Sequence, residues 1–172
     1  MALFIAYNSA LSATTNIQAG TSYATGAKCA LQLHIPDNGY IKLVEWGISM
    51  DGSAAATPAL LEVATTDAPT TGLTQHSTTT IKSLDAPAGL PLSRLTMGTS
   101  STGYGAVAIT TNTTLRQIDR QYVAPTSQYI KMWPLGREPA IGNGTAENFL
   151  QFRINTTATV NAIIYAVWEE HI

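Results

Sequence analysis

The chain carries three histidines, His34, His76 and His171, and one cysteine, Cys29, so the side chains best suited to metal or nucleophilic chemistry are few and far apart. Zinc sites draw ligands from short spacings such as His-Glu-x-x-His, which turn both donors to one side of an element. None of the three histidines stands in such a spacing, and each is expected at the surface. Glu169, Glu170 and His171 are adjacent, but neighbours on an alternating strand point to opposite faces and do not converge on a cation. The nucleophile elbow of many serine hydrolases is a strand-to-helix turn written Gly-x-Ser-x-Gly, whereas Gly98-Thr99-Ser100-Ser101-Thr102-Gly103 lacks that spacing and reads as a loop. Cys29 falls in the apolar stripe of a strand, the setting of an inert core thiol. Glu45 and Glu62 are the strand-borne carboxylates that could face each other across a glycosidase cleft, and surface glutamates on neighbouring strands account for them equally well. Gly142-Asn143-Gly144 fits no phosphate-loop pattern and reads as a turn. These observations predict no enzyme, no cofactor and no metal.

What remains is the chemistry of contact. Alternation along Thr114 to Val123 puts Arg116, Arg120 and Tyr122 on one face and Gln117, Asp119 and Gln121 on the other. Arginine and tyrosine are enriched in protein interfaces, so the first face is a candidate contact surface. An exposed edge strand guarded by its charges has the same composition. Residues 1–25 are rich in Ala, Ser, Thr and Asn after a small apolar tip that includes Leu3 and Phe4. They read either as an N-terminal arm that orders against a partner through that tip, or as a first strand followed by a long loop.

The elements that must position these residues are strands. Cys29, Leu31, Leu33 and Ile35 alternate with polar neighbours, as do Val44, Trp46, Ile48 and Met50, the latter run closing on Asp51-Gly52. Leu150, Phe152 and Ile154 repeat the pattern, and Val160 to Trp168 is apolar on both sides, as a central strand would be. Shorter candidates are Leu3 to Tyr7, Leu60 to Ala64, Thr79 to Leu84, Ala106 to Thr111, Leu115 to Val123 and Gln128 to Trp133. Clusters that interrupt regular structure lie at Thr65 to Gly72, Asp85 to Pro91, Met97 to Gly105 and Pro134 to Thr145. No stretch shows helical spacing over three turns. The expectation is an all-β, single antiparallel sandwich of about 8 to 10 strands over residues 26–172, preceded by the arm or first strand.

Composition narrows the partners. Charged residues are 12% of the 172, about half the usual ~25%, and hydrophobic residues are 45%. A polar surface with little charge is cheap to desolvate and suits extensive protein contact. With a net charge of -2 and no Lys/Arg cluster, nucleic acid is not expected as a partner. Neither a basic, apolar leader nor an apolar run of ~20 residues is present, so no membrane partner is expected. One cysteine excludes an intramolecular disulfide framework.

One distinctive segment is Leu43-Val44-Glu45-Trp46-Gly47-Ile48-Ser49-Met50-Asp51-Gly52-Ser53, followed by Pro58 to Val63. A second is Trp133-Pro134-Leu135-Gly136-Arg137-Glu138-Pro139, followed by Phe149 to Ile154 and the ending Val160-Asn161 to Val167-Trp168-Glu169-Glu170. Both segments resemble small virion proteins of tailed bacteriophages. The resemblance implies a jelly-roll-like sandwich acting as a capsid decoration or cement protein, a homotrimer bound to the major capsid protein at the capsid surface of a virion assembled in the host cytoplasm. It does not extend to the N-terminal arm or to residues 66–130. The competing reading is a carbohydrate- or receptor-binding jelly roll of a phage tail or fibre, with Tyr104, Tyr129 or Trp133 stacking on sugars.

Overall fold

Alternation with a period of two becomes thirteen strands, and no helix, among the residues described by the computed structural model, which are 2–10, 19–53, 56–85, 91–110, 112–142, 144 and 147–171. In chain order they are β1 (Leu3–Tyr7), β2 (Thr21–Tyr23), β3 (Gly26–His34), β4 (Tyr40–Asp51), β5 (Ala59–Thr66), β6 (Thr74–Gln75), β7 (Lys82–Ser83), β8 (Gly103–Ala108), β9 (Thr114–Val123), β10 (Gln128–Met132), β11 (Ala140–Gly142), β12 (Phe149–Thr156) and β13 (Val160–His171). They form two antiparallel sheets. A seven-stranded sheet runs β10-β4-β13-β1-β7, with β11 also on β4 and β2 on β13. A six-stranded sheet runs β6-β8-β3-β12-β5-β9. The doubly apolar β13 is central, as expected, between β4 and β1.

The core lies between the sheets. It is built from the inward stripes, with Trp46, Ile48, Ile164 and Trp168 from one sheet meeting Leu31, Leu33, Leu61 and Phe152 from the other. Phe4 stacks on Trp168 with centroids 6.1 Å apart. Residues 11–18, most of the span between β1 and β2, lie outside the described residues, as does the greater part of the Asp85 to Pro91 cluster.

Bulges change which side chains face inward, and three of the expected stripes are corrected by them. On β4, Val167 pairs with Glu45 and Trp168 with Leu43, so Val44 is an extra residue and the inward stripe continues through Leu43 and Ile41 in place of Val44. The freed Val44 carbonyl accepts from the Trp133 N–H at 3.1 Å. On β3, Phe152 pairs with Leu31 and Arg153 with Cys29, so Ala30 is extra; Ala30 joins the core, while Cys29 turns to the outer side. On β9, Val63 pairs with Asp119 and Ala64 with Gln117, which makes Ile118 extra. Beyond that point Arg116 lies on the opposite face from Arg120 and Tyr122, so the three do not share the face that plain alternation assigns them.

Other departures concern short elements. Of the expected strand Thr79 to Leu84, only Lys82–Ser83 pairs, with β1. The strand expected at Ala106 to Thr111 starts earlier, at Gly103, inside the expected loop cluster. Gly103 allows this: a Cβ there would sit 2.5 Å from the Thr74 carbonyl oxygen, so only glycine lets β6 approach so closely. The pieces β2, β6 and β11 had no signal of their own.

Candidate binding surfaces

The residues singled out for partner contact separate into three places. Leu3 and Phe4 are in β1, held between β13 and β7; the Leu3 N–H donates to Asp85 Oδ2 at 2.5 Å and its carbonyl accepts from the Leu84 N–H at 2.8 Å. The Phe4 side chain is 2% exposed, so core packing accounts for it. Arg116 reaches across to the other sheet, donating from Nη2 to the Ala140 carbonyl at 2.6 Å and pairing with Glu147 at 2.9 Å. Arg120 and Tyr122 stand on the outer face of the six-stranded sheet, opposite Glu62 and Leu60 of β5, and Tyr122 is 73% exposed.

That outer face carries a polar network unseen in the sequence. Gln32 Oε1 accepts from the Thr70 N–H at 2.8 Å and from Gln151 Nε2 at 2.6 Å, while Gln32 Nε2 donates to the Ser101 carbonyl at 2.9 Å. The two buried glutamines thus pin the 66–72 and 99–102 loops to the sheet, with each polar group satisfied as burial requires. Arg153 extends the network, donating from Nε to Gln151 at 2.9 Å and from Nη1 to Glu62 at 3.0 Å. Cys29 is buried on this side, and burial pushes its thiol up to about 12, which keeps it protonated and inert.

The outer face of the seven-stranded sheet is different in kind. Pairing across β10, β4, β13 and β1 sets three rows side by side: Gln128, Ser49 and Ile163; Ile130, Gly47, Tyr165 and Tyr7; Met132, Glu45, Val167 and Ile5. Met132 is 64% exposed, Ile130 55% and Ile163 40%. The Tyr165 hydroxyl donates to the Glu45 carboxylate, and burial followed by that carboxylate raises the phenol above its ordinary range. Glu45 is the one charged residue in these three rows, and exposed apolar side chains gathered on one face mark interaction sites.

The remaining chemistry-bearing residues do not assemble. Glu45 and Glu62 sit on opposite outer faces of the sandwich and share no cleft. His76, expected at the surface, is buried, its ring tilted against Tyr104 with centroids 4.7 Å apart. His171 pairs with Glu169 at 3.2 Å, while Glu170 points inward and accepts from Ser93 Oγ, the Arg94 N–H and Trp168 Nε1. Among the described residues no three His, Cys, Asp or Glu side chains could hold a metal ion together, and no helix is long and apolar enough to cross a membrane. Of the aromatic residues considered for sugar stacking, Tyr129 donates to buried Asp119, and Tyr104 and Trp133 are half-buried against the core. The chain matches no protein-family model, no curated protein and no solved structure.

Proposed function

We propose that this protein is a non-enzymatic structural component of a particle, a decoration protein that binds the outer surface of a tailed-phage capsid and bridges neighbouring capsomers. The observation that carries the reading is the exposed apolar face formed by Ile130, Met132 and Ile163 around Tyr165 and Tyr7. On a chain with only 12% charged residues, such a face is well suited to lie against another protein. The jelly-roll form of the sandwich is supported by strand order. Leaving aside the short strands and β8, β10-β4-β13-β1 faces β3-β12-β5-β9, and the chain changes sheet at every step except from β5 to β9. The major capsid protein and further copies of the chain, as a homotrimer, are the partners of this proposal. A closed trimer repeats one modest site against a symmetric lattice, and avidity then raises binding by ~10² to 10⁴.

The test is the mass of the purified protein in solution together with its co-sedimentation with capsids that lack it. A trimer that saturates the shell in a fixed ratio, and whose Ile130→Asp/Met132→Asp variant binds about tenfold or more weakly while staying folded, is the expected result. A monomer indifferent to capsids overturns the proposal.

A further inference from the structure

On the outer face of the six-stranded sheet, Arg153, Glu62 and Arg120 stand side by side in one row across β12, β5 and β9. Asn155, Leu60 and Tyr122 form the row two residues further along. A cleft of about 210 Å³ opens over these rows, lined by Leu60, Glu62, Ile109, Arg120, Arg153 and Asn155 among others. Two guanidinium groups and one carboxylate leave it with one net positive charge.

The hydrogen bonding is incomplete on the cationic side only. Glu62 is engaged at both oxygens, by Arg153 Nη1 at 3.0 Å and by Gln117 Nε2 at 2.5 Å. The Arg153 side chain is 9% exposed, with Nε on Gln151 and Nη1 on Glu62 and Thr114, yet its buried Nη2 has no hydrogen-bond partner among the described residues. The Arg120 guanidinium, exposed at the cleft, has no hydrogen-bond or ion-pair partner among the described residues. A buried donor without an acceptor is costly, and a planar guanidinium is matched in shape by a carboxylate.

We propose that this cleft binds a carboxylate carrying a short aliphatic segment. The carboxylate takes the donors of the exposed Arg120 guanidinium, with the buried Arg153 guanidinium adding its positive charge from the wall of the cleft, and the aliphatic part lies on Leu60 and Ile109. A single net positive charge is balanced by a monoanion, whereas a phosphate dianion overcompensates it and meets twice the repulsion from Glu62. The cleft is on the sheet opposite the apolar face, so this inference stands apart from the capsid reading.

The test is an NMR titration of the whole protein with butyrate, butyramide and inorganic phosphate, followed at the Leu60 and Ile109 methyl groups. Butyrate is expected to give saturable shifts with a dissociation constant on the order of millimolar, with butyramide and phosphate at least about tenfold weaker. Because the Arg120 side chain makes no hydrogen bond or ion pair among the described residues and its backbone contacts survive substitution, Arg120→Gln stays folded and loses about tenfold in affinity, while Arg120→Lys recovers only part of it. A blocked peptide with an internal glutamate, compared with a peptide ending in a free aliphatic residue, tells a side-chain carboxylate from a chain end; butyrate binding without either peptide points to a free metabolite-sized acid. No saturable shift at tens of millimolar, equal response to butyramide or phosphate, or an unchanged affinity in Arg120→Gln overturns the proposal.

Discussion

At the scale of single residues, Asp119 shows how much one side chain closes. Its carboxylate accepts from Trp46 Nε1 and from the Tyr129 hydroxyl, both at 3.0 Å, and from the Arg120 N–H at 2.9 Å. It therefore ties β9, the edge of one sheet, to β4 and β10 of the other. Desolvation, and then the carboxylate that accepts its hydrogen bond, push the Tyr129 phenol up to about 12. Asp119→Ala strands the buried Trp46 Nε1 donor and the half-buried Tyr129 hydroxyl, and the expected loss of stability is about 2 to 4 kcal/mol, with Asp119→Asn losing less because an amide oxygen still accepts. Urea unfolding of the three proteins checks this, and a loss below ~0.5 kcal/mol for the alanine variant contradicts it. Plain alternation groups Asp119 with Gln117 on one polar face. The extra residue at Ile118 separates them, leaving Asp119 inward and Gln117 outward on Glu62. Nothing in the residue types around Ile118 marks the bulge, which exists because β9 must follow β5 past it.

Elements were legible in proportion to their length and to the cleanness of their alternation. β1 falls on the residues expected of it, and β12 and β13 on theirs within a few residues at each end: in β12 the apolar residues recur at every second position, while β1 and β13 are mostly apolar runs that give way to polar residues. β2, β6, β7 and β11 pair over two or three residues each, too few for a period to show, and are held by the longer strands beside them. Within β4, Gly47 would seem a weak point for a strand, yet the Tyr165 ring lies across it. A Cβ at Gly47 would be 2.5 Å from Tyr165 Cε1 and 2.9 Å from its hydroxyl oxygen. Gly47→Ala must swing the ring away and break its hydrogen bond to Glu45, which outweighs the smaller loss of backbone entropy on folding that alanine otherwise brings. The expected cost is about 1 to 2 kcal/mol, read as a melting temperature lower by roughly 3 to 6 °C together with a changed near-ultraviolet tyrosine signal. A variant that melts at or above the parent temperature rules out the ring's fixed position over the glycine.

At the scale of the whole molecule, the binding cleft was illegible because it draws on residues near positions 60, 120 and 153, which only strand pairing brings into one row. The same holds for the long excursion between β5 and β9, which leaves the six-stranded sheet at β6, joins the other sheet at β7 and returns at β8. His76 sits at the first of these crossings. Its N–H donates to the Thr102 carbonyl at 2.9 Å, Nδ1 is 3.0 Å from Thr80 Oγ1, and the ring packs on Tyr104. Burial lowers its pKa from 6.5 to about 4. The unfolded chain therefore binds a proton on this ring at a pH where the folded chain does not, so protonation favours unfolding. The stability that depends on a neutral His76 is fully present above pH ~6.5 and is lost as the pH falls toward ~4, amounting to about 3 kcal/mol at the rate of ~1.4 kcal/mol per pH unit for one proton. His34, also lowered by burial, adds in the same direction, whereas Asp67, held below the ordinary carboxylate range by the Thr113 N–H, acts only at more acid pH. Unfolding free energies measured from pH 7 to pH 4.5 should fall steeply in the parent protein and much less in His76→Gln. Equal slopes would mean that the ring is already protonated or hydrated in the folded protein, and that the crossing between the sheets is open to water.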